Sequence, residues 1–169
     1  MARHEVLRAL LRDALMGAMM IVSKESLAFL PNVELVTTLV MAYTAVYRFR
    51  ALVPLYVFVS IEAILYPSFS TVLMYLYVWL VPWGIMMLLP KKPLPAPVYM
   101  VISGLFGLAF GILCAPAQAA YFGLSFRGMI GWIVAGFPFD VTHAIGNFAV
   151  GILTPVLIRL FFMLEKQKT

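Results

Sequence analysis

The stretch 98–115, VYMVISGLFGLAFGILCA, contains no charged side chain. At 1.5 Å of rise per residue a helix built from it is about 27 Å long, close to the ~30 Å hydrocarbon layer of a bilayer. Its apolar residues do not alternate with polar ones, which argues against a membrane β-barrel strand. The rest of the 169-residue chain has the same character: 64% of residues are hydrophobic, 11% are charged, and the mean hydropathy is +1.01. Such a composition lacks the polar surface that a soluble domain needs to face water all round. The sequence therefore predicts an all-α integral membrane protein with a single membrane domain over 1–169.

Outward from that stretch, Pro and charged residues divide the chain into six predicted spans, at about 9–30, 33–47, 51–66, 71–89, 98–115 and 140–164. Pro31 stops the first, because the residue before a proline disfavours helix. Asn32 can cap the second, Pro54 is tolerated in the opening turn of the third, and Pro82 is expected to kink the fourth. The run Pro90, Lys91, Lys92, Pro93, Pro95 and Pro97 makes a stiff basic connection. Between spans five and six, the piece 116–139 carries only a short apolar core at 129–135, and is expected to be an interfacial or re-entrant segment. Spans two and three are short for full crossings.

The net charge of +5 reports topology rather than a nucleic-acid partner. Arg3, Arg8, Arg12, Arg48, Arg50, Lys91, Lys92, Arg159, Lys166 and Lys168 lie at the chain ends or in two short connections. The positive-inside rule makes those places cytoplasmic, giving a six-helix bundle with both termini inside. A seventh span would put Lys166 and Lys168 outside. The first apolar stretch runs on past Lys24 and Glu25 without a small-residue cleavage pattern, so it reads as a retained span. Cys114 is the only cysteine, which excludes an intrachain disulfide and a cysteine metal cluster.

Polar and ionisable residues within apolar runs are costly, an ionised group by about 2.5–3.5 kcal/mol near a helix centre, so they usually face protein or an aqueous cavity. The ionisable Glu34, Glu62, Asp140 and His143 and the polar Asn147 are of this kind, and the topology puts all of them in the outer half with Lys24 and Glu25. Asp140, His143 and Asn147, spaced i, i+3 and i+7, share one helical face. Together with Asn32, Lys24 and ring faces drawn from Tyr43, Tyr66, Tyr75, Trp79 and Trp132, of which Tyr75 and Trp79 are preferred, they define a candidate polar cavity open to the exterior. Competing structural roles stand beside this: helix capping for Asp140 and Glu34, inter-helix hydrogen bonding for Asn147, and an internal ion pair for Lys24 and Glu25. Arg127 is either a solvated loop charge or a gate. Gly107 and Gly111 suit close helix packing, whereas Ala14 and Ala18 sit among Met16, Gly17, Met19 and Met20, a soft surface suited to an adaptable partner. No phosphate-binding G-x-x-x-x-G-K-[ST] loop or strong catalytic signature is present, so no enzyme activity is expected.

With its basic start, the Ala14-x-x-x-Ala18 pair, six spans and an outward cavity, the chain resembles the substrate-binding S components of energy-coupling factor (ECF) transporters. The stretches 30–36 (LPNVELV), 56–59 (YVFV), 75–79 (YLYVW) and 139–148 (FDVTHAIGNF) look like those of S components from Gram-positive bacteria. The resemblance implies a multi-pass protein of a bacterial cell membrane that captures a small water-soluble micronutrient and topples to carry it inward. It also implies that Ala14 and Ala18 dock on a membrane T component driven by two separate ATPases, which use the ATP; this chain binds no cofactor of its own. Nickel and cobalt members carry an N-terminal histidine motif that Met1-Ala2-Arg3-His4 does not match, so no metal is expected. The carboxylate excess and the aromatics favour an amino-bearing heterocycle, such as a pyrimidine vitamin or a purine-like base. Two other functions fit parts of the pattern: an intramembrane enzyme using Asp140 and His143 as an acid–base pair, and a self-contained small-solute carrier.

Overall fold

The computed structural model describes residues 3–30 and 32–166. Met1, Ala2, Pro31 and Lys168, used in the readings above, lie outside the described residues. Regular structure among the described residues is entirely helical: α1 (Arg3–Ser26), α2 (Val36–Tyr47), α3 (Leu52–Leu65), α4 (Phe69–Val78), α5 (Leu80–Leu88), α6 (Ala96–Phe122), α7 (Phe126–Val150) and α8 (Thr154–Lys166). Short 3-10 turns at Arg48–Ala51 and Gly151–Leu153 join α2 to α3 and α7 to α8. Three segments are long and apolar enough to cross a membrane: Phe69–Leu88, Ala96–Phe122 and Phe126–Lys166. Helix α1 has the length but carries charges at both ends, while α2 and α3 have 12 and 14 residues.

Helix α2 forms the centre of the bundle. Every residue from Val36 to Val46 is buried, as expected of a helix that is apolar all round. It packs against α5 and α8 most extensively, with further contacts to α1 and α7. Of its hydroxyls, Thr44 Oγ1 donates back to the Val40 carbonyl at 2.7 Å, whereas Thr38 Oγ1 is buried without a partner among the described residues. At about 18 Å, α2 is far shorter than a ~30 Å apolar layer. The cavity described below forms at its N-terminal end, where residues 27, 28, 30 and 32–34 lie.

The region 116–139 differs from expectation. It is not a separate interfacial or re-entrant piece but the two arms of a helical hairpin. Helix α6 continues through Pro116 to Phe122, Gly123 at φ 64° ends it in the left-handed conformation, and Ser125 caps α7 by accepting the Gly128 N–H. Pro116 has no N–H to donate to the Ile112 carbonyl, and the Tyr77 hydroxyl donates to the neighbouring Leu113 carbonyl at 2.7 Å. Asp140 is consequently in the interior of α7 and does not open a helix. Glycines set the α6–α7 distance: a Cβ on Gly107 would lie 2.8 Å from the backbone C and O of His143, and one on Gly104 3.2 Å from Phe148 Cβ. The break in the fourth predicted span falls at Trp79, between α4 and α5, one residue past the Val78 carbonyl that Pro82 leaves without a donor.

At the other end of the bundle Arg48, at φ 55°, closes the C-terminus of α5. Its guanidinium donates to the carbonyls of Met86 at 3.0 Å and Leu89 at 3.2 Å, and also to that of Met87. These are the orphan acceptors that every helix end presents. The surface is as apolar as the core, with Leu15, Ile64, Phe126, Val134, Ile145 and Leu88 all more than half exposed. Apolar exposure on that scale marks a surface made for something other than water.

Candidate functional site

A cavity of about 240 Å³ lies where α1 ends, α2 begins, and α4, α6 and α7 converge. Leu27, Ala28, Leu30, Asn32, Val33 and Glu34, between α1 and α2, supply much of its wall. Lys24 and Glu25 come from α1, Tyr66 follows α3, Tyr75 lies on α4, and Trp79 sits at the α4–α5 break. Phe110 of α6 and His143 of α7 complete it. Asn32 turns the connection inward at φ 59°, a conformation that asparagine tolerates better than other residues with a side chain.

Glu34 is the polar centre. Its Oε2 accepts the Thr37 backbone N–H at 2.8 Å and its Oε1 accepts the Thr37 hydroxyl, so it closes the first turn of α2 as a cap would. His143 Nε2 stands 3.5 Å from Glu34 Oε1. Each carboxylate oxygen accepts more than one hydrogen bond, so capacity remains for a donor from a ligand. The His143 ring lies edge-on to Phe110 at 4.8 Å between centroids.

Lys24 leads a second polar group. Its Nζ is 2.7 Å from Glu62 Oε2 and 3.5 Å from Glu25 Oε1, and it stands 4.6 Å above the Tyr66 ring. Tyr66 donates its hydroxyl to Glu25 Oε2 at 2.7 Å. The ion pair that the sequence raised as a local Lys24–Glu25 contact is thus anchored more tightly across to α3.

The aromatic wall is organised around Trp79, whose ring meets Phe58, Tyr75, Phe106 and Phe110 at centroid distances of 5.5–6.1 Å. Trp79 is 3% exposed, and its indole N–H has no hydrogen-bond partner among the described residues. A buried, unpaired donor of this kind costs about 1–3 kcal/mol.

Of the residues proposed from sequence, Glu34, His143, Asn32, Lys24, Tyr75 and Trp79 line this cavity together. Glu62, Asp140 and Asn147 do not. Glu62 is buried behind Lys24, with Oε1 unpartnered. Asp140 accepts the Gly111 N–H at 2.9 Å, wedged between α6 and α7. Asn147 donates to Thr37 Oγ1 at 3.3 Å, the inter-helix bond that competed with a ligand role. The Asp140–His143–Asn147 face does exist, all three being buried, but it runs along a helix seam and only His143 reaches the cavity. Arg127 is exposed and does not line it. Of the other candidate ring faces, Tyr66 lines the cavity, whereas Tyr43 and Trp132 do not. Glu25 and Phe110 belong to it although they were not among the proposed site residues; Glu25 carried a polar signal, whereas nothing distinguishes Phe110 from its apolar neighbours. Ala14 and Ala18 are exposed on α1, and Gly17 between them packs instead against α3, where an added Cβ would collide with Val57.

Comparison with protein-family models, with curated proteins and with solved structures finds no match.

Proposed function

We propose that this chain is the substrate-capture subunit of an ECF-type importer, an S component of a bacterial, Gram-positive cell membrane. In this reading six helical passes, with α4–α5 and α7–α8 each counted once, leave both termini cytoplasmic and the cavity open toward the exterior. The observation that carries it is the cavity's chemistry. Glu34 with spare acceptor capacity and the aromatic walls of Tyr75, Trp79 and Phe110 converge at the end of a short central helix. Pockets of that kind, mostly apolar with a few placed polar groups, are how small molecules are usually held.

The lining carries two carboxylates, Glu25 and Glu34, against one ammonium, Lys24. The ligand is therefore an amino-bearing planar heterocycle, of the size of a pyrimidine vitamin or purine-like base. It presents a donor to Glu34 and a ring face to Tyr75 or Phe110. Delivery inward falls to a T component and two ATPases, which spend ATP, with the exposed Ala14 and Ala18 as the docking positions because small side chains permit close helix approach. The acid–base alternative has no support from the cavity, since the Asp140 carboxylate is engaged with the α6 backbone.

Two measurements test this proposal. A thermal-shift screen should find stabilisation by amino-bearing heterocycles, because a ligand that binds the folded state raises its apparent stability. Stabilisation only by carboxylate-rich vitamins would sink the ligand assignment. Ala14→Trp and Ala18→Trp should abolish ATP-driven uptake while leaving that shift in place. Normal uptake by both variants would sink the docking assignment.

A further inference from the structure

The end of the molecule remote from the cavity has a trough of its own. Between α1 and α8 lies a hollow of about 570 Å³, walled by Leu11, Leu15, Met19, Phe161 and other apolar side chains, with Arg8 and Arg12 at its edge. A second hollow of about 360 Å³ shares Arg12 and Tyr47 with it and extends to Arg50 and Lys91. Arg12 is fixed between the two. It stands 4.4 Å over the Tyr47 ring, and its guanidinium reaches Asp13 at 3.1 Å and Glu165 at 2.9 Å. Arg50 holds the other oxygen of Asp13 at 3.0 Å.

The charges do not cancel. Arg8, Arg12, Arg50 and Lys91 face the carboxylates of Asp13 and Glu165, an excess of two positive charges at the mouth of an apolar trough. A ligand matching both parts has an acyl chain and an anionic head. We propose that this surface is a site for an anionic phospholipid, with one acyl chain lying along the α1–α8 trough and the phosphate between Arg8 and the Arg50–Lys91 rim. Basic clusters beside membrane helices attract anionic headgroups, and apolar surface between helices accepts the chain. Lys24 follows Arg12 by 12 residues of α1, about 18 Å along the axis, so the lipid would sit in the leaflet opposite the cavity. The inference rests on the chain lying in a bilayer and is independent of the importer reading.

The test is native mass spectrometry of the delipidated full chain titrated with phosphatidylglycerol and with phosphatidylcholine of the same acyl chains. Phosphatidylglycerol should bind about tenfold more tightly. The Arg8→Gln/Lys91→Gln variant leaves the Arg12 and Arg50 pairs with Asp13 intact and should bring the two lipids close to parity. Inorganic phosphate at the same concentration should not compete. Equal binding of the two lipids by the unmodified chain would overturn the proposal, as would a preference that survives the double substitution. Displacement by inorganic phosphate would show a free-anion site and overturn it too. The unmodified chain decides the question on its own if the variant does not fold.

Discussion

Glu34→Gln is expected to weaken ligand capture by about 10- to 100-fold, on the scale of 1.5–3 kcal/mol for a hydrogen bond to a charged group. Glutamine keeps one acceptor oxygen for Thr37 but loses the charge and half the acceptor capacity, so α2 should stay capped while a ligand amino group loses its partner. The unliganded variant should unfold within a few degrees of the parent. Calorimetric titration of both proteins with the ligand recovered from the parent separates the two effects. An unchanged dissociation constant would remove Glu34 from the site.

The largest effect on stability should come from a single methyl group. Gly107→Ala places a Cβ 2.8 Å from the His143 carbonyl carbon and oxygen and 2.9 Å from Ala144 Cα, all of them backbone atoms of α7. No side chain can swing aside to make room, so the helices must separate. Overpacking of this sort costs about 1–3 kcal/mol or more. Because His143 is the residue displaced, ligand binding should fall together with the thermal midpoint. Gly84→Ala is the control, since a Cβ there meets nothing within 4 Å. In α5 it should leave the midpoint unchanged or raise it, alanine being favoured over glycine in a helix by about 0.5–1 kcal/mol. Equal midpoints for the two variants would contradict the packing described for α6 and α7.

Those glycines also show how far sequence could reach. Their spacing marked a packing face, and the structure supplies the partner at His143 and Ala144. The long uncharged runs identified helices because nothing else satisfies backbone polar groups in an apolar setting. The helical hairpin was hidden because Pro116 and Pro138 normally interrupt a helix, whereas α6 and α7 continue through both. Short spans two and three were visible as a difficulty with crossing a bilayer. Their meaning, a buried central helix with a cavity at its end, depends on which helices surround α2.

The candidate site divides similarly. Polar residues in or beside apolar runs were legible one at a time because burial of each is costly, and four of them, Lys24, Asn32, Glu34 and His143, meet in one cavity. What sequence could not separate is a polar residue that serves a ligand from one that serves a helix seam. Asp140 and His143 are three residues apart on one face, yet Asp140 meets the Gly111 amide while His143 meets Phe110 and Glu34. Phe110 carries no signal at all, since an aromatic residue on a cavity wall looks in sequence like one in the core.

Small molecules released from gently purified protein and identified by mass spectrometry would test the central proposal most directly. The account predicts a single amino-bearing heterocycle, at about one molecule per chain, recovered from the parent and depleted in Glu34→Gln prepared in parallel. Recovery of the same compound in equal amount from both preparations, or of a carboxylate-rich compound from the parent, would contradict it.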